Sequence, residues 1–252
     1  MEQRDRGGGP GTLRLVGIGP GGTAHRTPAA EQAIRSCSVV ALYSGYRRLL
    51  ADLLEGKEVI ATGMRGEGER VSSALDRLAA GRDVAILSRG DAGVYGMAGL
   101  ALEMLRKRGM MPRVLIVPGI TAANAAAGAL GAPLMCDYAV LSLSDLLVPW
   151  ERIRERLELV ARADLVAVMY NPRSRSRTVY IEQARDIFLS CRAPGTPVGI
   201  VREAGTQDQE ITLSDLGSFT QHTIDMSSVV IIGNTRTLTF GPWMFTPRGY
   251  EL

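Results

Sequence analysis

The alternation of apolar, strand-like runs with amphipathic, helix-like segments constrains this chain's fold more than any other feature. Short apolar runs are typical of buried strands, and apolar residues spaced three and four apart are typical of helices with one buried face. Their alternation predicts an α/β fold with a largely parallel sheet in the first half of the chain. The predicted strands are 13–18, 39–43, 84–88, 114–117, 139–143, 165–170, 198–201 and 229–232, and the predicted helices are 27–37, 70–80, 99–108, 150–162 and 179–191.

A domain boundary is predicted where Pro118 and Gly119 interrupt the chain directly after a strand. The 252 residues suffice for two α/β domains with their own cores. We therefore expect a flexible tail over 1–12, an N-terminal α/β domain over 13–117 and a C-terminal α/β domain over 118–252. Because ligands bind preferentially at domain interfaces, we expect the active site in the interdomain cleft.

Composition excludes several classes of protein. Apolar residues make up 46% of the chain, but no run reaches the roughly 18 residues of a membrane span, and no secretory signal is evident. A cytoplasmic protein without membrane association is expected. Cys37, Cys136 and Cys191 are an odd number without C-x-x-C spacing, which argues against disulfides and zinc. With His25 and His222 as the two histidines, a protein-bound metal is not expected.

The charged residues favour a small polyanionic ligand. The formal net charge is +3, and almost all cationic side chains are arginine. Arginine binds carboxylates through two parallel hydrogen bonds, which lysine cannot do. Nucleic-acid binding would require a denser basic stripe. We therefore expect a small-molecule partner and no nucleic acid.

The segment SRGDAGVYGM, residues 88–97, joins the strand 84–88 to the helix 99–108. A Gly-Asp-x-Gly loop at the carboxyl end of a parallel strand brings backbone close to a ligand and directs a carboxylate at it. The simpler alternative is that Asp91 caps the following turn.

The segment GIGPGG, residues 17–22, formally matches the dinucleotide-binding pattern G-x-G-x-x-G. Pro20 argues against that function because it removes a backbone N–H from the loop. The helix starts only at Thr27, an N-cap followed by proline, and the second strand lacks a terminal acidic residue. A tight turn and a ligand-lining loop remain open alternatives.

Three further segments place polar residues at strand ends. Thr121 follows a strand end and is a candidate N-cap of the next helix. Tyr170 and Asn171 end an apolar strand, and the arginines after them form either a solvated loop or a clamp for carboxylates. Ser144 and Asp145 precede the predicted helix 150–162. They either cap this helix or take part in the chemistry of the site.

Together the five segments resemble the tetrapyrrole methylases, which methylate porphyrin-like rings with S-adenosylmethionine. The sequences GAPLM at 131–135 and SLSDLLVPW at 142–150 resemble the branch that methylates C17 of the corrin precursor. Residues 63–64, 95–100, 233–234 and 244–250 agree with that branch. Two departures are Cys136, where the branch usually has histidine, and Arg89, where the family often has serine or glycine. The resemblance covers residues 13–252.

The resemblance implies a homodimer that transfers methyl from S-adenosylmethionine, leaving S-adenosylhomocysteine, in cobalamin biosynthesis. The implied acceptor is cobalt-factor III, cobalt-precorrin-3 or precorrin-3B, with C17-methylation coupled to ring contraction and any cobalt carried by the substrate. The cobalt-containing acceptors are favoured. A sibling methylase acting on uroporphyrinogen III or another corrin carbon remains an alternative, as does a non-enzymatic nucleotide-binding module.

The resemblance and the chemistry of these segments together nominate three groups of site residues. The expected donor-binding residues are Pro20, Gly90, Asp91, Val94, Thr121, Ala122, Tyr170, Asn171 and Ala204; the expected substrate-binding residues are Arg89, Arg173, Arg175 and Arg177; and the candidates for proton transfer are Tyr95, Ser144 and Asp145.

Overall fold

The structure is a computed structural model that describes residues 11–251. The chain divides into two compact units, the first ending at Thr121 and the second beginning at Ala122. The tail predicted for 1–12 lies outside the described residues except for Gly11 and Thr12. The Gly11 amide donates a hydrogen bond to the Leu78 carbonyl at 3.2 Å, and the Thr12 amide donates to Oδ1 of Asp83 at 2.7 Å.

Unit 1 is built on a five-stranded, entirely parallel sheet. Its strands are β1 (Leu13–Gly17), β2 (Val39–Tyr43), β3 (Glu58–Thr62), β4 (Val84–Ser88) and β5 (Val114–Val117), and its helices are α1 (Pro28–Arg35), α2 (Ala51–Leu54), α3 (Glu67–Ala79) and α4 (Ala98–Lys107). The strand order is β3-β2-β4-β1-β5, which places β4, β1 and β5 side by side.

Side chains along the strands of unit 1 point alternately to the two faces of the sheet, and they pack into two cores, one on each face. Leu13 and Leu15 pack with residues of α3 and α4, whereas Val16 packs with residues of α1 and α2. Helices on both faces explain why the strand sequences are continuous apolar runs. The predicted start of α1 is confirmed, because Thr27 Oγ1 accepts from the Ala30 amide at 3.1 Å and Pro28 follows it.

Unit 2 contains a mixed five-stranded sheet and a smaller three-stranded sheet. The elements are α5 (Ala122–Leu130), β6 (Gly131–Ala132), β7 (Tyr138–Ser142), α6 (Trp150–Arg162), β8 (Val166–Tyr170), α7 (Tyr180–Leu189), β9 (Pro197–Arg202), β10 (Glu210–Asp215), β11 (Ser228–Ile232), β12 (Leu238–Phe240) and β13 (Trp243–Phe245). The larger sheet has the order β10-β9-β11-β8-β7, with β7 and β8 parallel and the other neighbours antiparallel. The smaller sheet has the order β12-β13-β6.

The predicted α/β class is confirmed, as is the parallel sheet of the first half. All eight predicted strands exist within one or two residues of their predicted ends, whereas β3, β6, β10, β12 and β13 were not predicted. No helix among residues 11–251 is both long and apolar enough to cross a membrane.

Candidate functional site

Polar and glycine-rich loops gather at one edge of the sheet in each unit. In unit 1 the carboxyl ends of β4, β1 and β5 are neighbours. The loops that follow these strands, residues 17–22, 89–97 and 118–121, therefore meet at what we call the unit 1 edge. Ligands of parallel sheets bind outside the carboxyl ends of the strands.

Close packing of backbone joins the three loops of the unit 1 edge. Gly19 and Gly90 exchange two main-chain hydrogen bonds, of 3.1 and 2.8 Å, and both have positive φ angles of 79° and 74°. A Cβ atom on Gly17 would lie 2.7 Å from the Gly90 carbonyl oxygen, and a Cβ on Gly119 would overlap that same oxygen. Glycine is therefore required at these positions because main chain occupies the space of a side chain.

The carboxylate of Asp91 ties two of these loops together. Its Oδ1 accepts hydrogen bonds from the amides of Gly93 at 2.7 Å and Val94 at 3.2 Å, and its Oδ2 accepts from the Gly119 amide at 2.9 Å. The turn-capping alternative is thus part of what Asp91 does, and the bond to Gly119 adds a connection to the loop after β5. The carboxylate sets the shape of loop 89–97.

Other side chains of the unit 1 edge differ in their accessibility. Nε of Arg89 donates to the Pro20 carbonyl at 2.5 Å, so this guanidinium braces the glycine loop. Val94 and Tyr95 are exposed at the tip of loop 89–97. Tyr95 also has a φ of 52°, a rare conformation for an aromatic residue that functional loops often contain.

Arg70 is a residue at the same end of the sheet that sequence reasoning missed. Its side chain is buried, and it donates to Oγ1 of Thr62 at 3.0 Å and to the Gly63 carbonyl at 3.3 Å, which holds the chain after β3. Burial raises the pKa of nearby Tyr46, and the positive charges of Arg89 and Arg70 oppose that rise. An arginine in an amphipathic helix normally signals a solvated face, so the sequence contains no sign of this burial.

In unit 2 the carboxyl ends of β7, β8 and β9 point to one edge of the larger sheet, since β9 and β8 are both antiparallel to β11. We call residues 142–149, 170–180 and 203–205 the unit 2 edge. Ser142 pairs with Tyr170 across β7 and β8. The Tyr170 hydroxyl accepts from the Ala123 amide at 2.9 Å, so it satisfies the first turn of α5. Ala204 is buried just after β9.

Side-chain hydrogen bonds organise the unit 2 edge. Nδ2 of Asn171 donates to Ser142 Oγ at 3.0 Å, and the Ser144 amide donates to that same oxygen at 3.2 Å. Asn171 has a φ of 51°, a conformation that asparagine tolerates better than most residues. Nη2 of Arg177 donates to the Asn171 carbonyl at 2.7 Å within the loop after β8, and the Asn171 bond to Ser142 links that loop to the end of β7.

Asp145 is the carboxylate of this network and contacts both Tyr180 and Arg177. The Tyr180 hydroxyl donates to its Oδ2 at 2.8 Å, and Nη1 of Arg177 lies 3.9 Å from its Oδ1. This hydrogen bond to Asp145, with a smaller contribution from desolvation, raises the pKa of Tyr180. The ring of Tyr180 stacks on Trp150 with centroids 3.9 Å apart and planes at 4°. Neither Ser144 nor Asp145 caps α6, whose N-cap position is held by Pro149 without a side-chain bond.

The three arginines after β8 are not equivalent. Arg173 forms an ion pair with Glu182 at 2.8 Å, and Arg177 is held by Asn171 and Asp145, whereas Arg175 is exposed. The buried Nε atoms of Arg173 and Arg177 have no hydrogen-bond partner within the described chain.

The structure thus groups the nominated residues at two edges. The unit 1 edge contains Pro20, Arg89, Gly90, Asp91, Val94, Tyr95 and Thr121; the unit 2 edge and the adjoining start of α5 contain Ala122, Ser144, Asp145, Tyr170, Asn171, Arg173, Arg175, Arg177 and Ala204.

Cys136 contacts the segment that follows β13. The Cys136 thiol lies 3.4 Å from the Pro247 carbonyl, to which it is placed to donate. Within residues 11–251, His, Cys, Asp and Glu side chains form no group of three or more suited to holding a metal ion.

Comparison with known proteins identifies relatives that match about 95% of the chain. The chain is 44% identical to the "Probable cobalt-factor III C(17)-methyltransferase" of Salmonella typhimurium over 240 residues, covering 95% of this chain and 100% of the relative. It is 42% identical to the "Cobalt-factor III methyltransferase" of Priestia megaterium, covering 96% of this chain and 45% of that longer protein.

A solved structure and a family profile agree with these matches. The crystal structure of the methyltransferase CobJ superposes with a TM-score of 0.87 at 36% identity, covering 94% of this chain and 100% of that one. The profile of the Tetrapyrrole (Corrin/Porphyrin) Methylases matches residues 12–220. The chain therefore belongs to the tetrapyrrole (corrin/porphyrin) methylase family.

Proposed function

We propose that this protein is an S-adenosylmethionine-dependent methyltransferase of cobalamin biosynthesis that methylates C17 of a corrin precursor while the macrocycle contracts. The acceptor that we favour is cobalt-factor III or cobalt-precorrin-3, with precorrin-3B as the metal-free alternative. The observation that carries this proposal is the match to the Salmonella relative, which spans that protein's full length at 44% identity.

Methyl transfer requires the protein mainly to position two molecules, the methyl donor and the acceptor. S-adenosylmethionine supplies an activated methyl group on its sulfonium, so no nucleophilic side chain is required. Holding reactants in line and excluding water converts a slow bimolecular step into a fast one. Rigid backbone at the carboxyl edge of a sheet suits this task, and the unit 1 edge has it at Gly17, Gly90 and Gly119.

The proposed donor-binding residues divide between contact and positioning. Val94 is exposed at the tip of loop 89–97, which leaves it accessible to a ligand. Asp91 already accepts three backbone hydrogen bonds, so we propose that it acts chiefly by fixing the loop. The donor-binding set that we propose is Pro20, Gly90, Asp91, Val94, Thr121, Ala122, Tyr170, Asn171 and Ala204.

The peripheral carboxylates of the acceptor call for arginine. Of the proposed residues, Arg175 after β8 and Arg89 at the unit 1 edge are exposed. Arg173 and Arg177 lie near carboxylates of the protein, so they would bind the acceptor through their remaining N–H groups. Arg89 is the corresponding candidate at the unit 1 edge.

Ring contraction also needs proton transfers, which a side chain within hydrogen-bond reach can perform. We propose Tyr95, Ser144 and Asp145 for this role. Asp145 already has a protein partner in place, because the Tyr180 hydroxyl donates to it. A cytoplasmic homodimer is part of the same proposal, and light scattering after size-exclusion chromatography measures the assembly.

The deciding experiment is anaerobic turnover of the purified protein with S-adenosylmethionine and one of three acceptors: cobalt-factor III, precorrin-3B or uroporphyrinogen III. Mass spectrometry detects an added methyl group, and NMR locates it. Methylation at C17 of cobalt-factor III supports the proposal, and C17-methylation of precorrin-3B alone replaces the cobalt acceptor with the metal-free one. Methylation of uroporphyrinogen III or at another carbon would replace the proposed acceptor with that of a sibling enzyme.

A further inference from the structure

The loop between β7 and α6, residues 143–149, carries two neighbouring leucines that the reaction proposed above does not yet use. Leu146 is 68% exposed and Leu147 is 90% exposed. Single exposed apolar residues are ordinary, but two adjacent leucines at the edge of a sheet that gathers the candidate site residues are a different case.

The loop is anchored at both ends, so the exposure of the leucines is a built feature. On the β7 side, the Ser144 amide bonds to Ser142 Oγ, and Asp145 accepts from the Tyr180 hydroxyl. On the α6 side, Val148 and Trp150 pack against the buried core of unit 2, and Trp150 stacks on Tyr180. The backbone on each side of the two leucines is thereby fixed.

The neighbouring loop supplies positive charge. Nη1 of Arg177 lies 3.9 Å from Oδ1 of Asp145, which places the loop after β8 directly beside loop 143–149. Arg175, two residues before Arg177, is exposed. Exposed leucines on one loop and the exposed Arg175 guanidinium on the neighbouring loop match a ligand with a broad apolar face and carboxylates at its rim. A tetrapyrrole macrocycle with acidic side chains has both properties.

We propose that loop 143–149 recognises the methyl acceptor. Leu146 and Leu147 pack against the apolar face of the macrocycle, and Tyr180 is a positioning residue that holds the loop through Asp145. This inference rests on the proposed function, because it takes the acceptor to be a tetrapyrrole. Two leucines fall far short of the roughly 800 Å² per partner of a stable protein interface, so a small molecule suits the loop better than a second protein.

Trp150 provides a direct assay of binding. The chain has two tryptophans, Trp150 at the end of this loop and Trp243 on β13. In a Trp243→Phe background, quenching of Trp150 by added cobalt-factor III measures the dissociation constant without turnover. Leu147→Ser in this background is expected to weaken cobalt-factor III binding about tenfold, the usual loss for a leucine removed from an apolar contact.

Matched variants separate recognition from general damage. Leu159 is exposed on α6 outside this loop, so Leu159→Ser should leave the dissociation constant within about twofold. Calorimetry should give the same S-adenosylmethionine affinity for Leu147→Ser as for its parent. Tyr180→Phe keeps the stacked ring but loses the bond to Asp145, so it should raise the acceptor KM severalfold while kcat changes less.

The outcomes distinguish this inference from the proposed function. Binding of cobalt-factor III that Leu147→Ser weakens, without methylation of the bound compound, would refute the proposed function and support the loop's role. Methylation at C17 with an unchanged dissociation constant in Leu147→Ser would refute the loop's role alone. An assembly that dissociates in Leu147→Ser would also refute it, by assigning the leucines to an interface between copies. No binding of cobalt-factor III by the parent protein refutes both.

Discussion

The two edges hold their loops by different means. At the unit 1 edge, most of the links are main chain on main chain, with Gly19 and Gly90 bonded to each other and Gly119 against the Gly90 carbonyl, and the Asp91 carboxylate adds one side-chain link to the Gly119 amide. At the unit 2 edge, side chains make the links, with Asn171 bonded to Ser142 and Tyr180 bonded to Asp145. Main-chain packing leaves no room for substitution, whereas a side-chain network can lose one bond and keep its shape.

This difference suggests different tolerances to change. A cofactor shared by a whole family favours a backbone-built site, because backbone atoms are the same whatever the sequence. Acceptors that differ between siblings favour a site built from side chains, which substitution can adjust. The four predictions below test this contrast, beginning with the largest expected effect.

Gly119→Ala should be the most damaging of these changes. The new Cβ would overlap the Gly90 carbonyl oxygen and approach the main chain of Gly17, neither of which can move without displacing a strand end. We expect the free energy of unfolding to fall by about 3 kcal/mol or more. Urea denaturation measures this loss, and calorimetry should show that S-adenosylmethionine affinity falls with it.

Gly99→Ala is the matched control for this substitution. Gly99 lies in α4, and a Cβ there meets no atom within 4 Å. Because alanine favours a helix over glycine, the stability should be unchanged or raised by up to about 1 kcal/mol. If Gly119→Ala were as stable as Gly99→Ala, the unit 1 edge would not be the rigid backbone assembly described here.

Asp91→Ala should have the next largest effect. It removes three hydrogen bonds to backbone amides, two within loop 89–97 and one to Gly119. Partial exposure of these amides limits the expected loss of stability to about 2 kcal/mol. Because the loop loses its cross-connection, S-adenosylmethionine should bind at least tenfold more weakly by calorimetry.

Asp91→Asn distinguishes the two hydrogen bonds within loop 89–97 from the hydrogen bond to the Gly119 amide. An amide side chain still has one oxygen for the amides of Gly93 and Val94 but turns an NH2 group toward the Gly119 amide. If Asp91 acts by joining the loops, the asparagine variant should bind S-adenosylmethionine almost as weakly as the alanine variant. Wild-type affinity in both variants would show that the connection has no part in donor binding.

The accuracy of the sequence predictions follows from how each element is stabilised. β4 is an apolar run that is buried at every residue, and it was predicted at its observed ends. β3 and β10 contain charged residues and are partly exposed edge strands, so their sequences do not stand out as strands. Their pairing with β2 and β9 is decided by contact in the folded sheet and leaves no pattern within their own sequences.

The candidate site was predictable in position but not in its contacts. Strand ends followed by glycine, proline and polar residues marked both edges in the sequence. The bond from Asp91 to Gly119 joins residues 28 positions apart, and the bond from Tyr180 to Asp145 joins residues 35 apart. No local pattern specifies such pairs, so the sequence offered a ligand contact or a turn cap for Asp91 but not its bond to Gly119, and Tyr180 was missed.

A double-mutant cycle on Ser142 and Asn171 should show a smaller effect at the unit 2 edge. Ser142→Ala removes the oxygen that accepts from Asn171 Nδ2 at 3.0 Å, and Asn171→Ala removes the donor. We expect each single variant to lose about 1 kcal/mol of stability in urea, with a coupling of about 0.5–1 kcal/mol between them. Additive losses would mean that the two side chains are energetically independent despite their contact.

Titration of Tyr180 tests the hydrogen bond to Asp145, for which we expect the smallest effect. The bond to Asp145 raises the pKa of Tyr180 above the ordinary tyrosine value of 10.0. Since the neutral hydroxyl is the donor, the bond persists at pH values below that raised pKa and is lost as the pH rises through it. The absorbance difference at 295 nm between the wild type and Tyr180→Phe isolates this residue from the other tyrosines.

We expect the midpoint of this difference titration to lie above pH 10 in the wild type. In an Asp145→Ala background the same pair of spectra should give a lower midpoint, because both the acceptor and its negative charge are gone. Equal midpoints in the two backgrounds would mean that Asp145 does not hold Tyr180 in solution. Loop 143–149 would then lose one of the side-chain anchors that distinguish the unit 2 edge from the backbone-built edge of unit 1.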